Sequence, residues 1–278
     1  MQLRTKGSRQ PKRVSVLGQT PQKNGHLRWS QGLIGIGLVV ALWALIAHLE
    51  VLPELFVPRP SSVLRAFAEV TATGYRGGTL FQHVGRSMSR LLSGFVLAAL
   101  TAIPLGMVMG FSHTARRVLD PLIELYRPLP PLAYYTLLIV WMGIGEASKI
   151  ALLYLAAVPP ITIATMSGVA ALNQQRVETA YALGAAKRQV LWHVAFPSCL
   201  PDIFTGLRVG IGFAYTTLVS SEIVAAAQGV GWMVLDAGRF LRTDIIFVGI
   251  IVMSITGWGL DRFIRIVEHY VVPWKGQG

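Results

Sequence analysis

Glu178-Thr179-Ala180-Tyr181-Ala182-Leu183-Gly184-Ala185-Ala186-Lys187-Arg188-Gln189-Val190-Leu191-Trp192-His193-Val194-Ala195-Phe196-Pro197 is a polar, helix-patterned segment in an otherwise apolar half of the chain. It lies between two apolar runs, roughly residues 150–172 and 203–227. Each run is long enough for a bilayer-crossing helix, which needs about 20 mainly apolar residues. The stretch between them is therefore a connection on one side of a membrane. Its own pattern is helical: Val177, Ala180, Tyr181 and Gly184 recur at i, i+3, i+4 and i+7. A second face follows in Ala186, Val190, Leu191 and Val194. Gly184 is free to take the positive φ that a corner between two helices requires. The spacing thus predicts a short helix, a bend and a second helix. Periodicity alone leaves two roles open for this elbow: a rigid handle for a partner protein, or an amphipathic hairpin on the lipid surface.

The rest of the chain has the same character. Hydrophobic residues make up 53% of it and charged residues 14%, against about 25% charged in a soluble domain. Mean hydropathy is +0.54. Six spans are expected, near residues 32–49, 91–111, 121–144, 150–172, 203–227 and 245–264. The third is interrupted by Arg127 and three prolines. Backbone groups in lipid must be paired internally, so these are helices. No short alternating strands of a β-barrel occur. The expected fold class is all-α, a polytopic membrane protein with about six transmembrane helices.

The net charge of +12 raises nucleic acid as a partner, but its distribution points to a membrane instead. Seven Lys/Arg and no acid lie in the first thirty residues. Further cations cluster at Arg116 and Arg117, at Arg176, Lys187 and Arg188, and at Arg262, Arg265 and Lys275. With six spans all of these fall on one side. The positive-inside rule makes that side cytoplasmic, with both termini there. Arg59, Arg65 and Arg76, between the first two spans, oppose the bias, though long loops count less. Residues 1–30 read as a disordered basic cytoplasmic tail, and 31–278 as one membrane domain. The first apolar run reads as a retained span, because no small-residue cleavage motif closes it.

Several internal features have two readings each. Pro104, Pro128, Pro130, Pro131, Pro159 and Pro160 fall within or beside spans. They either shape the bundle or give helices the kinks a moving channel uses. Gly206, Gly210 and Gly212 form a small-residue face for close packing, against another span or a second copy of the chain. Asp120, Glu124 and Arg127 share a helix face, so Glu124 and Arg127 either neutralise each other or Arg127 lines a pathway. Thr216, Thr217, Ser220, Ser221 and Glu222 form a polar stripe. They either line a translocation path or turn their hydroxyls back onto their own helix. Glu222 would repel an anion, so pairing or gating suits it better than ligand contact.

Covalent chemistry has no foothold in the sequence. No P-loop pattern is present, so ATP hydrolysis cannot belong to this chain. The histidines show no H-E-x-x-H spacing, and no catalytic residues or metal site are expected. Cys199 is the only cysteine, so no internal disulfide forms.

The 178–197 stretch resembles the EAA loop of ABC importer permeases, E-A-A, three residues, G, nine residues, I-x-L-P. Thr179, Val194 and Phe196 are conservative departures from it. Leu119–Tyr134, Trp141–Ile150 and Leu218–Ala226 are similar to the taurine, sulfonate and nitrate group of that family, and most of all to taurine permeases. The resemblance implies a type-1 ABC permease fold with its core module near residues 81–265. It implies that Glu178, Thr179, Ala180, Gly184 and Pro197 couple to the ATPase. It further implies two ATP-binding subunits that carry ATP and Mg, a second copy of this chain, and a periplasmic or lipid-anchored substrate-binding protein. No cofactor on this chain and no nucleic-acid partner are expected, and the location is the bacterial inner membrane. Other alkanesulfonates or nitrate are alternative cargoes. A stand-alone secondary transporter would need internal repeats and midplane ion-coupling groups that this sequence does not display. A receptor or scaffold would leave the elbow unexplained.

Overall fold

The computed structural model describes residues 25–50 and 52–275, with side chains from residue 34 onward. The expected disordered tail lies outside the described residues up to residue 24, and residues 25–30 are helical. The helices are α1 Gly25–His48, α2 Pro60–Ala72, α3 Leu80–Phe111, α4 His113–Tyr126, α5 Pro131–Met142 and α6 Glu146–Ala170. They continue with α7 Gln174–Ala182, α8 Lys187–Val190, α9 Phe196–Ala225, α10 Val230–Arg239 and α11 Thr243–Val271. Among the described residues there is no strand, only an isolated bridge between Tyr75 and Gly78.

Among the described residues, four stretches are long and apolar enough to cross a membrane: α3, α6, the α8–α9 rod over Lys187–Ala225, and α11. The expected first span falls within α1, whose described apolar part is Ile34–His48. The expected third span is not one helix. α4 stops at Tyr126, and α5 starts only at Pro131. Prolines at 128, 130 and 131 carry no N–H and disfavour helix in the residue before them, so the backbone breaks here. At 1.5 Å per residue, α5 is only about 18 Å long, short of a core of about 30 Å.

The expected second span also changes, because α3 begins at Leu80 and not near Leu91. A capping box starts it: Thr79 Oγ1 accepts from the Gln82 N–H, and Gln82 Oε1 accepts from the Thr79 N–H. The first turns read as polar because they contain His83, Ser87 and Arg90. All three are buried on one face, where other helices supply their partners. At about 48 Å, α3 exceeds the hydrocarbon thickness, so this polar end extends past the lipid core.

The centre of the fold is α6, clasped between α3 running parallel and α9 running antiparallel. Leu91, Ala98 and Ala102 of α3 meet Leu153, Ala157 and Ile161 of α6 and Ala214 of α9. Backbones approach closely where side chains are absent. A Cβ on Gly106 would lie 2.6 Å from the Thr162 carbonyl oxygen, and one on Gly110 would lie 2.4 Å from Val169 Cβ. Gly206 and Gly210 do the same across to Ala164 and Ile161, whereas Gly212 faces open space. The expected small-residue face is thus the α9–α6 contact for two of its glycines.

A second cluster joins α2, α10 and α11 through Val63, Val70, Met233, Ile245 and Val248. Arg242 ties α2 to this unit, binding Glu69 at 2.9 Å and Asp244 at 3.0 Å. α1 rests on it through Trp43, which stacks on Phe247 at 5.4 Å and donates to the Pro58 carbonyl.

Candidate functional site: the elbow and the opposite polar end

The elbow joins the end of α6 to the start of α9. Asn173 caps α7 by accepting the Gln175 N–H at 2.9 Å. α7 ends in a Schellman motif: the Ala185 N–H bonds Ala180 O at 3.0 Å, and the Gly184 N–H bonds Tyr181 O at 2.9 Å. Gly184 sits at φ +85° with nothing within 4 Å of where a Cβ would lie. Glycine is required here for backbone conformation, not for space. The chain then re-enters helix at α8, where Gln189 Oε1 accepts the Ala186 N–H. Residues Leu191–Ala195 form a π-helical turn, closed by the Phe196 N–H on Leu191 O. Pro197, which has no N–H to donate, follows this widened turn at the start of α9.

This arrangement projects side chains outward. Glu178 and Thr179 are exposed, and Ala180 is half-buried. The Glu178 side chain has no hydrogen bond or ion pair among the described residues. Leu183 is 83% exposed, next to Tyr181 and Trp192, which are also exposed. Apolar groups this open at the tip of a rigid corner form an unsatisfied contact surface. Behind the tip, a cleft of about 420 Å³ separates α7 from the α3–α4 junction, with Val177 and Glu178 facing Gly110 and His113.

The other end of the bundle carries a buried ionic cluster that reading the sequence missed, apart from Glu222. Arg90, 3% exposed, donates twice to Glu146, to Glu222 Oε1 at 2.8 Å and to the Gln228 carbonyl at 2.7 Å. Glu222, 1% exposed, also accepts from Ser87 Oγ at 2.6 Å and from the Gly231 N–H at 2.8 Å. Lys149 reaches Glu146 at 3.1 Å. His83 accepts the Gly229 N–H at Nδ1, and its Nε2 lies 3.0 Å from the Tyr75 carbonyl oxygen, which fixes the Nε2–H tautomer. One cluster therefore pins α3, α6, α9 and α10 together. The missed signal was the spacing of His83, Ser87 and Arg90 at i, i+4 and i+7, just ahead of the expected second span.

The expected polar stripe is divided by this packing. Thr217, Ser221 and Glu222 are buried between helices. Thr217 Oγ1 donates to Phe213 O and Ser221 Oγ to Leu218 O, as the second reading had it. Thr216 is exposed, and its hydroxyl also bonds Phe213 O. Ser220 is half-buried. Glu222 is paired, but with Arg90. Glu124 and Arg127 do not pair; Asp120 instead lies 3.7 Å from Arg116. Arg127 lies apart from the stripe, at the break between α4 and α5.

Residues 102–273 match the profile of the binding-protein-dependent transport system inner membrane component family. The chain belongs to this family. The permease is 41% identical over 273 residues to the taurine transport system permease protein TauC of Escherichia coli K12, covering 95% of this chain and 99% of that one. It is 30% identical over 245 residues to the nitrate import permease protein NrtB of Synechocystis, covering 86% and 88%. A chain of the MetNI methionine ABC transporter, solved in inward-facing conformations, superposes with a TM-score of 0.57 at 17% identity. It covers 68% of the permease and 95% of its own length, which establishes the shared fold. The permease is thus an inner-membrane transport component of the ABC type.

Proposed function

We propose that this permease forms the translocation pathway of an ATP-driven taurine importer, as a homodimer with two ATPase subunits docked at its two elbows. The 41% identity to TauC along nearly the whole chain carries the substrate reading. The exposed, rigid elbow supports the docking reading. Glu178, Thr179, Ala180, Gly184 and Pro197 hold the handle in shape or present it to the motor. ATP and Mg belong to the ATPase, and a periplasmic or lipid-anchored binding protein delivers cargo to the Arg90–Glu222 end. Both termini and the elbow face the cytoplasm. ATP binding would close the motor and draw the elbows together. Different contacts with the motor in its two states then shift the bundle between inward- and outward-open forms. Residues 31–278 act as one membrane domain.

The test is reconstitution. The chain, purified with its ATPase in mild detergent, should weigh as two copies of each, and its proteoliposomes should take up labelled taurine with ATP and the binding protein. A chain that elutes alone, under conditions that hold a known importer together, would refute the assembly. Uptake of an alkanesulfonate or nitrate in place of taurine would refute the substrate.

A further inference from the structure

Beside Pro159 and Pro160, midway along α6, lies a cavity of about 290 Å³. That is near the small end of ligand pockets, about 300–1,000 Å³. The α4–α5 break forms one wall, and Val209 and Phe213, midway along α9, form another. Irregular backbone at this depth is tolerated only where it is covered by protein or lines a cavity.

Its polar groups are uncommitted. Arg127 faces the cavity, is exposed, and has no ion pair or side-chain hydrogen bond among the described residues. A cation midway through a bundle is costly and calls for a partner. The Tyr126 hydroxyl is buried against Tyr134 without a hydrogen bond of acceptable geometry. α5 starts at this wall and turns the positive end of its dipole toward it. On the α6 side, Pro159 and Pro160 have no N–H, so the Leu155 and Ala156 carbonyls lose their i+4 donors. Leu155 and Ala156 both line the cavity. Thus the cation, the hydroxyl, the helix dipole and the Tyr134 ring lie on one wall, and the acceptor carbonyls and the Phe213 ring on the other.

The geometry points to a transit site for a small zwitterionic acid within the permease itself. Arg127 and the Tyr126 hydroxyl take the acid group, while the freed carbonyls of Leu155 and Ala156 and the ring of Phe213 take the ammonium. The inference deepens the importer reading and rests on it. It does not require that the cargo be taurine, since any small anion would use the Arg127 half. The double proline in α6 acquires a chemical role here in addition to a mechanical one.

The experiment uses the reconstituted permease–ATPase complex with its binding protein, and measures anion uptake and binding-protein-stimulated ATP hydrolysis together. Arg127→Gln should lower taurine uptake by roughly ten- to a hundredfold, the loss expected for a charge-assisted contact, while stimulated ATP hydrolysis persists. Arg127→Lys, which keeps the charge, should retain a measurable part of uptake. Uptake by Arg127→Gln equal to the unsubstituted complex would overturn the site. So would joint loss of uptake and ATP hydrolysis in both variants, which would make Arg127 a structural residue. The unsubstituted complex is first offered taurine, ethanesulfonate and nitrate. If it carries another of these anions instead, the taurine reading and the ammonium half of the site both fail, and the Arg127 comparison proceeds on that anion. If it carries no anion, the transit site is overturned as well.

Discussion

Replacing Arg90 with methionine removes four hydrogen bonds from the buried cluster at once, but the cost falls unevenly. Glu146 is half exposed and keeps Lys149, so water and that lysine compensate it. A partly solvated pair of this kind is worth at most about 1 kcal/mol. Glu222 is 1% exposed and would keep only Ser87 and the Gly231 N–H. Leaving a buried charge without its partner costs about 3–5 kcal/mol. Glu222→Gln is the milder change, because Arg90 retains Glu146 at the solvent edge; its expected cost is about 1–3 kcal/mol. The double variant should be more stable than Arg90→Met alone, since the stranded charge has gone. Equilibrium unfolding in mixed micelles, followed by a double-mutant cycle, measures this directly. A coupling of about 2 kcal/mol or more is expected, against the roughly 0.5 kcal/mol scatter of independent sites. Additive single costs, or an Arg90→Met variant within about 1 kcal/mol of the parent, would refute an ionised, pinned cluster.

Gly229→Ala should also disrupt this end. Its Cβ would lie 2.3 Å from Glu222 Oε1, and φ is +138°, so a loss above about 2 kcal/mol in the same unfolding assay is expected. Gly206→Ala, whose Cβ would lie 2.7 Å from Ala164 Cβ, should destabilise by about 1–3 kcal/mol by overpacking, whereas Gly212→Ala should leave unfolding unchanged. At the elbow, Gly184→Ala meets no neighbour but must hold φ +85°, costing about 1–2 kcal/mol locally. ATPase co-purification should weaken while the bundle's unfolding midpoint stays put; Gly184→Asn, which tolerates that conformation better, should bind more ATPase than Gly184→Ala. Tyr75 lies outside the long apolar helices; burial, and next its hydrogen bond to Asp236, push its phenol up to about 12. Its folded value exceeds the unfolded one near 10. Its stabilising contribution is therefore whole below pH 10 and lost as pH rises through 12, a slope that Tyr75→Phe should abolish in the unfolding midpoint.

The all-α membrane class, four of the six expected spans and the elbow were legible in the sequence alone. Apolar runs of bilayer length specify helices because lipid offers backbone groups no other partner. Gly184 marked the corner in advance, since a positive φ is a local requirement visible at one residue. The α7 periodicity was likewise legible, because a helix face repeats within a single element. Tertiary structure decided what depends on residues far apart in the chain. His83, Ser87 and Arg90 fell outside the expected second span because their partners, Gly229, Glu222 and Glu146, are remote in sequence. Spacing places Glu124 and Arg127 on one helix face, yet Arg127 lines the cavity beside α6 and α9 and does not pair with Glu124. Spacing alone leaves open what the hydroxyls of Thr217 and Ser221 bond; in the bundle both donate to carbonyls of their own helix. A helix pattern shows which residues share a face, and only the assembled bundle decides what that face meets.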